Sequence, residues 1–241
     1  MENDLNHKIL ARHIGVDFFS CFIVAYLGIK SAHICKDIWT ARHASSSSST
    51  MNISGSEARM FTYHPASQQI LLVFLAYQIK NLHDAVMWND GPEFIFHHIA
   101  AGLTAGTAMY PGFGHYYVVF FMGISEISTA ILVLLSNFDP KHGVEGFPEA
   151  FPAVKIGLGV CFVVSFVACR AIMWPIAAYH FVRDARAVLK LNTPQVNQRR
   201  GYIKATMISL TGLSILQVAW LYQIYAIGKA EIEQMLSANN A

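Results

Sequence analysis

The sequence predicts an all-α integral membrane protein, a bundle of about six transmembrane helices, and three observations carry that reading. Of 241 residues, 54% are hydrophobic and 13% charged, about half the charged share of a soluble domain at roughly 25%, and mean hydropathy is +0.38. The apolar residues gather into blocks of bilayer length separated by polar clusters, the pattern of spanning helices. The breaks carry turn residues, among them Asp90-Gly91-Pro92 and Pro111-Gly112. A formal charge of +2 is too small to point to nucleic acid, which is excluded as a partner. Membrane lipids are the expected partners, and self-association remains open.

The first span is expected from Ile14 to about Ile34, after a short N-terminal tail over 1–13. A polar connection with Lys36, Arg42, Arg59 and the run Ser45–Ser49 follows, and the serines read as a flexible linker. Span two runs from about Ala66 to Leu82, span three from Phe94 to Tyr110, and span four from Tyr116 to Leu135. Span five covers Ile156 to about Tyr179 and contains Pro175, which removes a backbone hydrogen bond and is expected to kink the helix near Ala171. Span six is Met207 to Ile227, closed by Gly228-Lys229. The chain thus reads as one membrane domain over 14–229 with a C-terminal tail over 230–241.

Lysine and arginine are more numerous on the face that holds Lys36, Arg59, Arg183, Arg186, Lys190, Arg199 and Arg200 than on the opposite one, with Lys8, Arg12, Lys80, Lys141 and Lys155. The positive-inside rule then puts the former face in the cytosol, and the sequon Asn52-Ile53-Ser54 with it. Cys21, Cys161 and Cys169 fall inside spans, Cys35 lies just beyond one, and no CxxC pair occurs. They read as packing residues.

Ionisable groups inside apolar spans are costly and are functional candidates by default. His97 and His98 open span three, and His83-Asp84 closes span two across a short polar turn. Neighbours on a helix point about 100° apart, so the doublet does not act as a metal pair. Gly102 and Gly106 share a face with His98, which is expected to look into the bundle over a small-residue surface. Asp84 is placed to orient an imidazole through its ring N–H, or to be a hydrated residue at the membrane edge. Glu126, in GISEIST, lies roughly 15 Å inside span four, and Arg170 is the one basic group deep in a span. A Glu126–Arg170 ion pair is one reading; a free, functional Glu126 is the other. Gln217 and Trp220 add a polar and an aromatic group to span six. HExxH, the HxxxH and HxxHH boxes of di-iron hydroxylases, and a mid-span lysine in the last helix for a Schiff base are all missing.

Asp84, the doublet in EFIFHHIAAG, the glutamate of GISEIST, FVACRAIMWP with Arg170 and Pro175, and LQVAWLYQIY follow one another between Tyr77 and Tyr225. In order and spacing this set resembles the TLC-domain family, which includes ceramide synthases, translocating-chain-associated proteins and smaller lipid-homeostasis proteins. The resemblance implies about six membrane helices, usually in the endoplasmic reticulum, and a part in sphingolipid or membrane-lipid metabolism. By likeness to ceramide synthases, His97, His98, Asp84 and Glu126 become candidate catalytic residues of an acyl-CoA-dependent N-acyltransferase. A sphingoid base would be the acceptor and acyl-CoA the co-substrate, with no bound cofactor and no metal. The sequence departs from that subgroup after the doublet: a second histidine with spaced aspartates is missing, and Glu126-Ile127-Ser128 stands instead. The chain is more similar to the small TLC-domain proteins. A non-catalytic protein that binds lipid and adjusts membrane composition is the alternative.

Overall fold

The computed structural model describes residues 2–40, 49–139 and 142–239, and they are helical without a strand. Arg42, Lys141 and most of the serine run lie outside the described residues. The principal helices are α1 (Asp4–Lys30), α2 (Ser49–Phe61), α3 (Pro65–Met87), α4 (Pro92–Met109), α5 (His115–Ser136), α6 (Pro152–Leu189) and α7 (Pro194–Asn239). The turns chosen by sequence are the ones used: proline opens α3, α4, α6 and α7, where its missing N–H costs nothing.

Five helices, α1, α3, α5, α6 and α7, are long and apolar enough to cross a membrane. The sixth, α4, has 18 residues, about 27 Å of helix, and its two histidines, Glu93 and threonines lower its hydropathy. It packs along both α3 and α7. Neighbouring pairs close a ring in the order α1, α3, α4, α7, α6, α5 and back to α1. The buried run Tyr116–Met122 of α5 packs into the middle of the core. Phe19, Phe22, Tyr26, Ile156, Val160 and Val164 are exposed, an apolar outer surface that suits lipid.

Residues expected to form an N-terminal tail belong to α1, because Arg12 of that helix is tied to Asp90 in the α3–α4 turn, by a hydrogen bond of 3.3 Å among others. Likewise α7 continues through the expected C-terminal tail as far as Asn239. The close helix contact expected at Gly102 and Gly106 is not made there: a methyl group built on either touches nothing within 4 Å, although His98 on the same face meets Gln78 of α3. The close approach is between α1 and α5, where a Cβ on Gly28 would stand 2.6 Å from the backbone of Gly123. Gly28→Ala or Gly123→Ala is therefore expected to destabilise the bundle by about 1–3 kcal/mol, the usual cost of overpacking. Gly102→Ala and Gly106→Ala should leave it unchanged. Thermal unfolding in detergent checks this, and a Gly28→Ala protein that melts with the wild type would refute the contact.

Three helices contain wide turns of the i→i+5 kind, at Ala11–Phe18, Val119–Ile124 and Val167–Met173. In the second, the Ser125 amide reaches back to the Phe120 carbonyl at 3.0 Å. The third contains Ala171, whose carbonyl is the one that Pro175, four residues on, deprives of its usual donor. Such insertions turn the following side chains to new directions and recur at functional sites. Here they immediately precede Glu126 and contain Arg170 and Asp17.

Candidate functional site

The two histidines of α4 face different ways. His98 donates from Nδ1 to the Gln78 Oε1 of α3 at 2.7 Å, which leaves Nε2 as the nitrogen with a free lone pair. His97 turns towards α7, with its ring edge-on to Trp220 at 5.2 Å between centroids, and its buried Nδ1 has no partner. The rings themselves lie 5.1 Å apart.

Between α3, α4, α5, α6 and α7 is a cavity of about 20 Å³ lined by Phe74, His97, Phe121, Glu126, Arg170 and Leu213, among others. Arg170 donates from Nη2 to Glu126 Oε1 at 2.9 Å, to Thr129 Oγ1 at 2.8 Å and to the Ser125 carbonyl at 3.3 Å. Its Nε donates to Ser128 Oγ at 3.2 Å. The guanidinium carbon also lies 5.5 Å from the centre of the Trp174 ring. Glu126 and Arg170 are both buried. The remaining neighbour of the carboxylate is Cys21, whose Sγ is 3.9 Å from Oε2 and 3.1 Å from the Tyr77 hydroxyl. A second cavity of about 20 Å³ adjoins the first, sharing Thr104, Phe121, Met122 and Leu210 and reaching Tyr117 and Thr206. The two form a narrow, mostly apolar seam along the inside of the ring.

Asp84 does not touch the doublet. It pairs with Lys80 at 2.7 Å, Arg12 at 3.6 Å and the exposed His83 at 3.4 Å. Arg12 also pairs with Asp90 and stacks on Trp88, and Lys80 pairs with the buried Asp17. Asp84 thus belongs to an ionic cluster that ties α1 to α3 and to the α3–α4 turn. Its expected role as orienter of an imidazole falls to Gln78, which lies on the buried face of α3 that meets α4.

Sequence reasoning missed Gln78, Cys21 and Tyr77, and it missed a third cluster. Asp184 of α6 is fully buried and accepts from Ser56 Oγ at 3.0 Å, Arg59 Nη2 at 2.8 Å and Tyr117 Oη at 2.6 Å. The bond to Asp184 pushes the Arg59 guanidinium above its ordinary pKa, so its charge is fixed. For Gln78 the available signal was a polar side chain inside an apolar span.

A closed ring of membrane helices, with an imidazole and a buried ion pair on a shared inner cavity, defines the class: a multi-pass membrane protein with an intramembrane polar site. The family model described as TLC domain matches residues 12–226, and the chain belongs to the TLC-domain family. No curated protein and no solved structure matches the chain significantly.

Proposed function

We propose that this TLC-domain protein acts on an acyl lipid inside the bilayer, transferring an acyl group from acyl-CoA to the amine of a sphingoid base. Localisation to the endoplasmic reticulum membrane belongs to the same proposal and rests on the family resemblance. The observation that carries it is His97: an imidazole with an unpartnered, buried Nδ1 on the wall of a cavity it shares with Glu126 and Arg170. Amide formation from a thioester needs a group to take the proton of the attacking amine and donors to steady the developing oxyanion. A neutral imidazole serves as that base. Alternatively its nitrogen attacks the thioester carbonyl, the coenzyme A thiolate leaves, and the amine then displaces the imidazole from the acyl group. The apolar seam between His97 and Tyr117 supplies a path for the acyl tail once the helices part. His98, steadied by Gln78, stands beside His97 to orient the thioester.

His97→Ala is expected to lower N-acyl product by at least about 100-fold with little loss of folded protein, measured with purified protein in nanodiscs supplied with acyl-CoA and a sphingoid base. Gln78→Leu should reduce it less. Wild-type protein that folds yet forms no acylated product across a range of chain lengths would overturn acyl transfer.

A second reading is favoured by the close packing of the site. A cavity of about 20 Å³ holds one water rather than a chain, and Glu126 Oε1 is held by Arg170 at 2.9 Å. On this reading the chain binds a lipid without transforming it and adjusts membrane composition.

A further inference from the structure

Helix α7 carries a polar group that no bond among the described residues explains. Gln217 is 4% exposed, and both ends of its amide, Nε2 and Oε1, are buried without a partner. An unpaired carboxamide in an apolar interior is costly, and the cavity-lining Leu210 and Leu213 precede it on the same helix.

Its position is fixed by the register between α4 and α7. Thr104 meets Ser209 at 2.7 Å and Thr107 meets Thr206 at 2.7 Å. The helices are therefore antiparallel: going back along α4 from Thr104 matches going forward along α7 from Ser209. Two turns from that crossing stand His97 on one helix and Gln217 on the other. The face of α7 agrees, since Leu210 and Leu213 line the cavity and Trp220, beyond Gln217, packs on the His97 ring. Two buried groups with unused hydrogen-bonding capacity thus stand at the same level of the α4–α7 packing, His97 on the cavity wall and Gln217 about one turn beyond the cavity-lining Leu213.

The chemistry of a matching ligand follows from what is left over. The charge of Arg170 is balanced by Glu126, and its Nη2 and Nε donate to Glu126, Thr129, the Ser125 carbonyl and Ser128, so the cavity offers no unbalanced cation for a phosphate. What this end of it offers is an imidazole nitrogen on the wall and, about one turn beyond Leu213 on α7, a carboxamide donor and acceptor, none of them partnered. We propose that Gln217 is a positioning residue that, with His97, grips the neutral amide-and-hydroxyl headgroup of an N-acyl lipid, its Nε2 donating to the acyl carbonyl and its Oε1 accepting from the amide N–H or hydroxyl. This rests on the reading above, that a lipid occupies the cavity, and assigns the residue that selects a neutral headgroup there.

The test uses the full chain in nanodiscs with a photoactivatable N-acyl sphingosine, and photoactivatable phosphatidic acid in a parallel arm. Cross-linked peptides are mapped, and unfolding midpoints are measured on the same samples. In the wild type, the N-acyl probe should label α4 and α7 around the cavity, and phosphatidic acid should not. Gln217→Leu, close in volume and without polar ends, should weaken labelling at that site about tenfold or more, while the midpoint stays the same or rises. A merely structural glutamine would lower the midpoint instead, and that result would overturn the assignment. Unchanged labelling in Gln217→Leu would overturn it too while leaving the lipid-cavity reading intact. If phosphatidic acid labels the cavity as well as the N-acyl probe does, the neutral-headgroup selection is wrong. Absence of any cavity labelling in the wild type would instead overturn the lipid-cavity reading, and this inference with it.

Discussion

Asp184→Ala is expected to lower the unfolding midpoint of the purified protein by roughly 6–20 °C, the equivalent of about 3–5 kcal/mol for a chain of this size. The carboxylate has no exposure to solvent and is the common acceptor for Ser56, Arg59 and Tyr117, which lie on α2 and α5 while Asp184 lies on α6. Removing it takes the acceptor from the buried Tyr117 hydroxyl and the counter-charge from Arg59. The effect should be graded. Tyr117→Phe loses one hydrogen bond to a charged group, about 1.5–3 kcal/mol, and Asp184→Asn keeps an acceptor oxygen while losing the charge. The ordering Asp184→Ala, then Asp184→Asn and Tyr117→Phe, separates this account from a general sensitivity of α6. A midpoint shift below about 2 °C for Asp184→Ala, less than about 1 kcal/mol on this scale, would refute it. Because Tyr117 also lines the inner seam, the same cluster fixes the end of the proposed acyl path that lies away from His97.

The contrast between Asp184 and the Glu126–Arg170 pair shows what is legible in a sequence like this one. Glu126 and Arg170 are conspicuous because each interrupts an apolar run, and an isolated charge at bilayer depth has few explanations. Asp184 stands between Arg183 and Arg186 at a helix end, where charges read as solvated; its burial depends on α2, a helix more than a hundred residues earlier in the chain, folding over it. The histidine doublet was legible as a pair of residues pointing apart. Which ring faces the cavity was not, since that depends on how α4 is rotated between α3 and α7. Gly102 and Gly106 fit a spacing rule for close helix contact, yet the actual contact uses one glycine from each of two distant helices, Gly28 and Gly123, a pairing no single-helix pattern contains. The wide turns before Glu126 and through Arg170 leave no mark in composition, although they aim both side chains. Asp84 is near the doublet along the chain, whereas helix geometry puts Gln78 against His98 and Asp84 against Arg12, Lys80 and His83.

Single substitutions at Glu126 and Arg170 are expected to be unequal, and the double substitution milder than the worse of the two. Breaking a buried pair by removing one partner costs about 3–5 kcal/mol because the survivor keeps its charge without compensation. The survivors here are not alike. Arg170 without Glu126 still donates to Ser128, Thr129 and the Ser125 carbonyl and stacks on Trp174. Glu126 without Arg170 keeps only the Cys21 thiol, at 3.9 Å. Arg170→Met should therefore destabilise more than Glu126→Gln, and Glu126→Gln with Arg170→Met should recover part of the loss by leaving no unpaired charge at bilayer depth. Unfolding midpoints of the four proteins, together with the yield of monodisperse protein, form the cycle. Additive losses would show that the two charges do not support each other, and equal losses would show that the serine, threonine and carbonyl acceptors around Arg170 contribute nothing. The functional readout divides along the same line. If Glu126 serves only to hold Arg170 and close the cavity wall, Glu126→Gln protein that still folds should retain N-acyl transfer or lipid labelling. If its carboxylate takes part in proton transfer, product formation should fall by at least about 100-fold while labelling by the N-acyl probe persists.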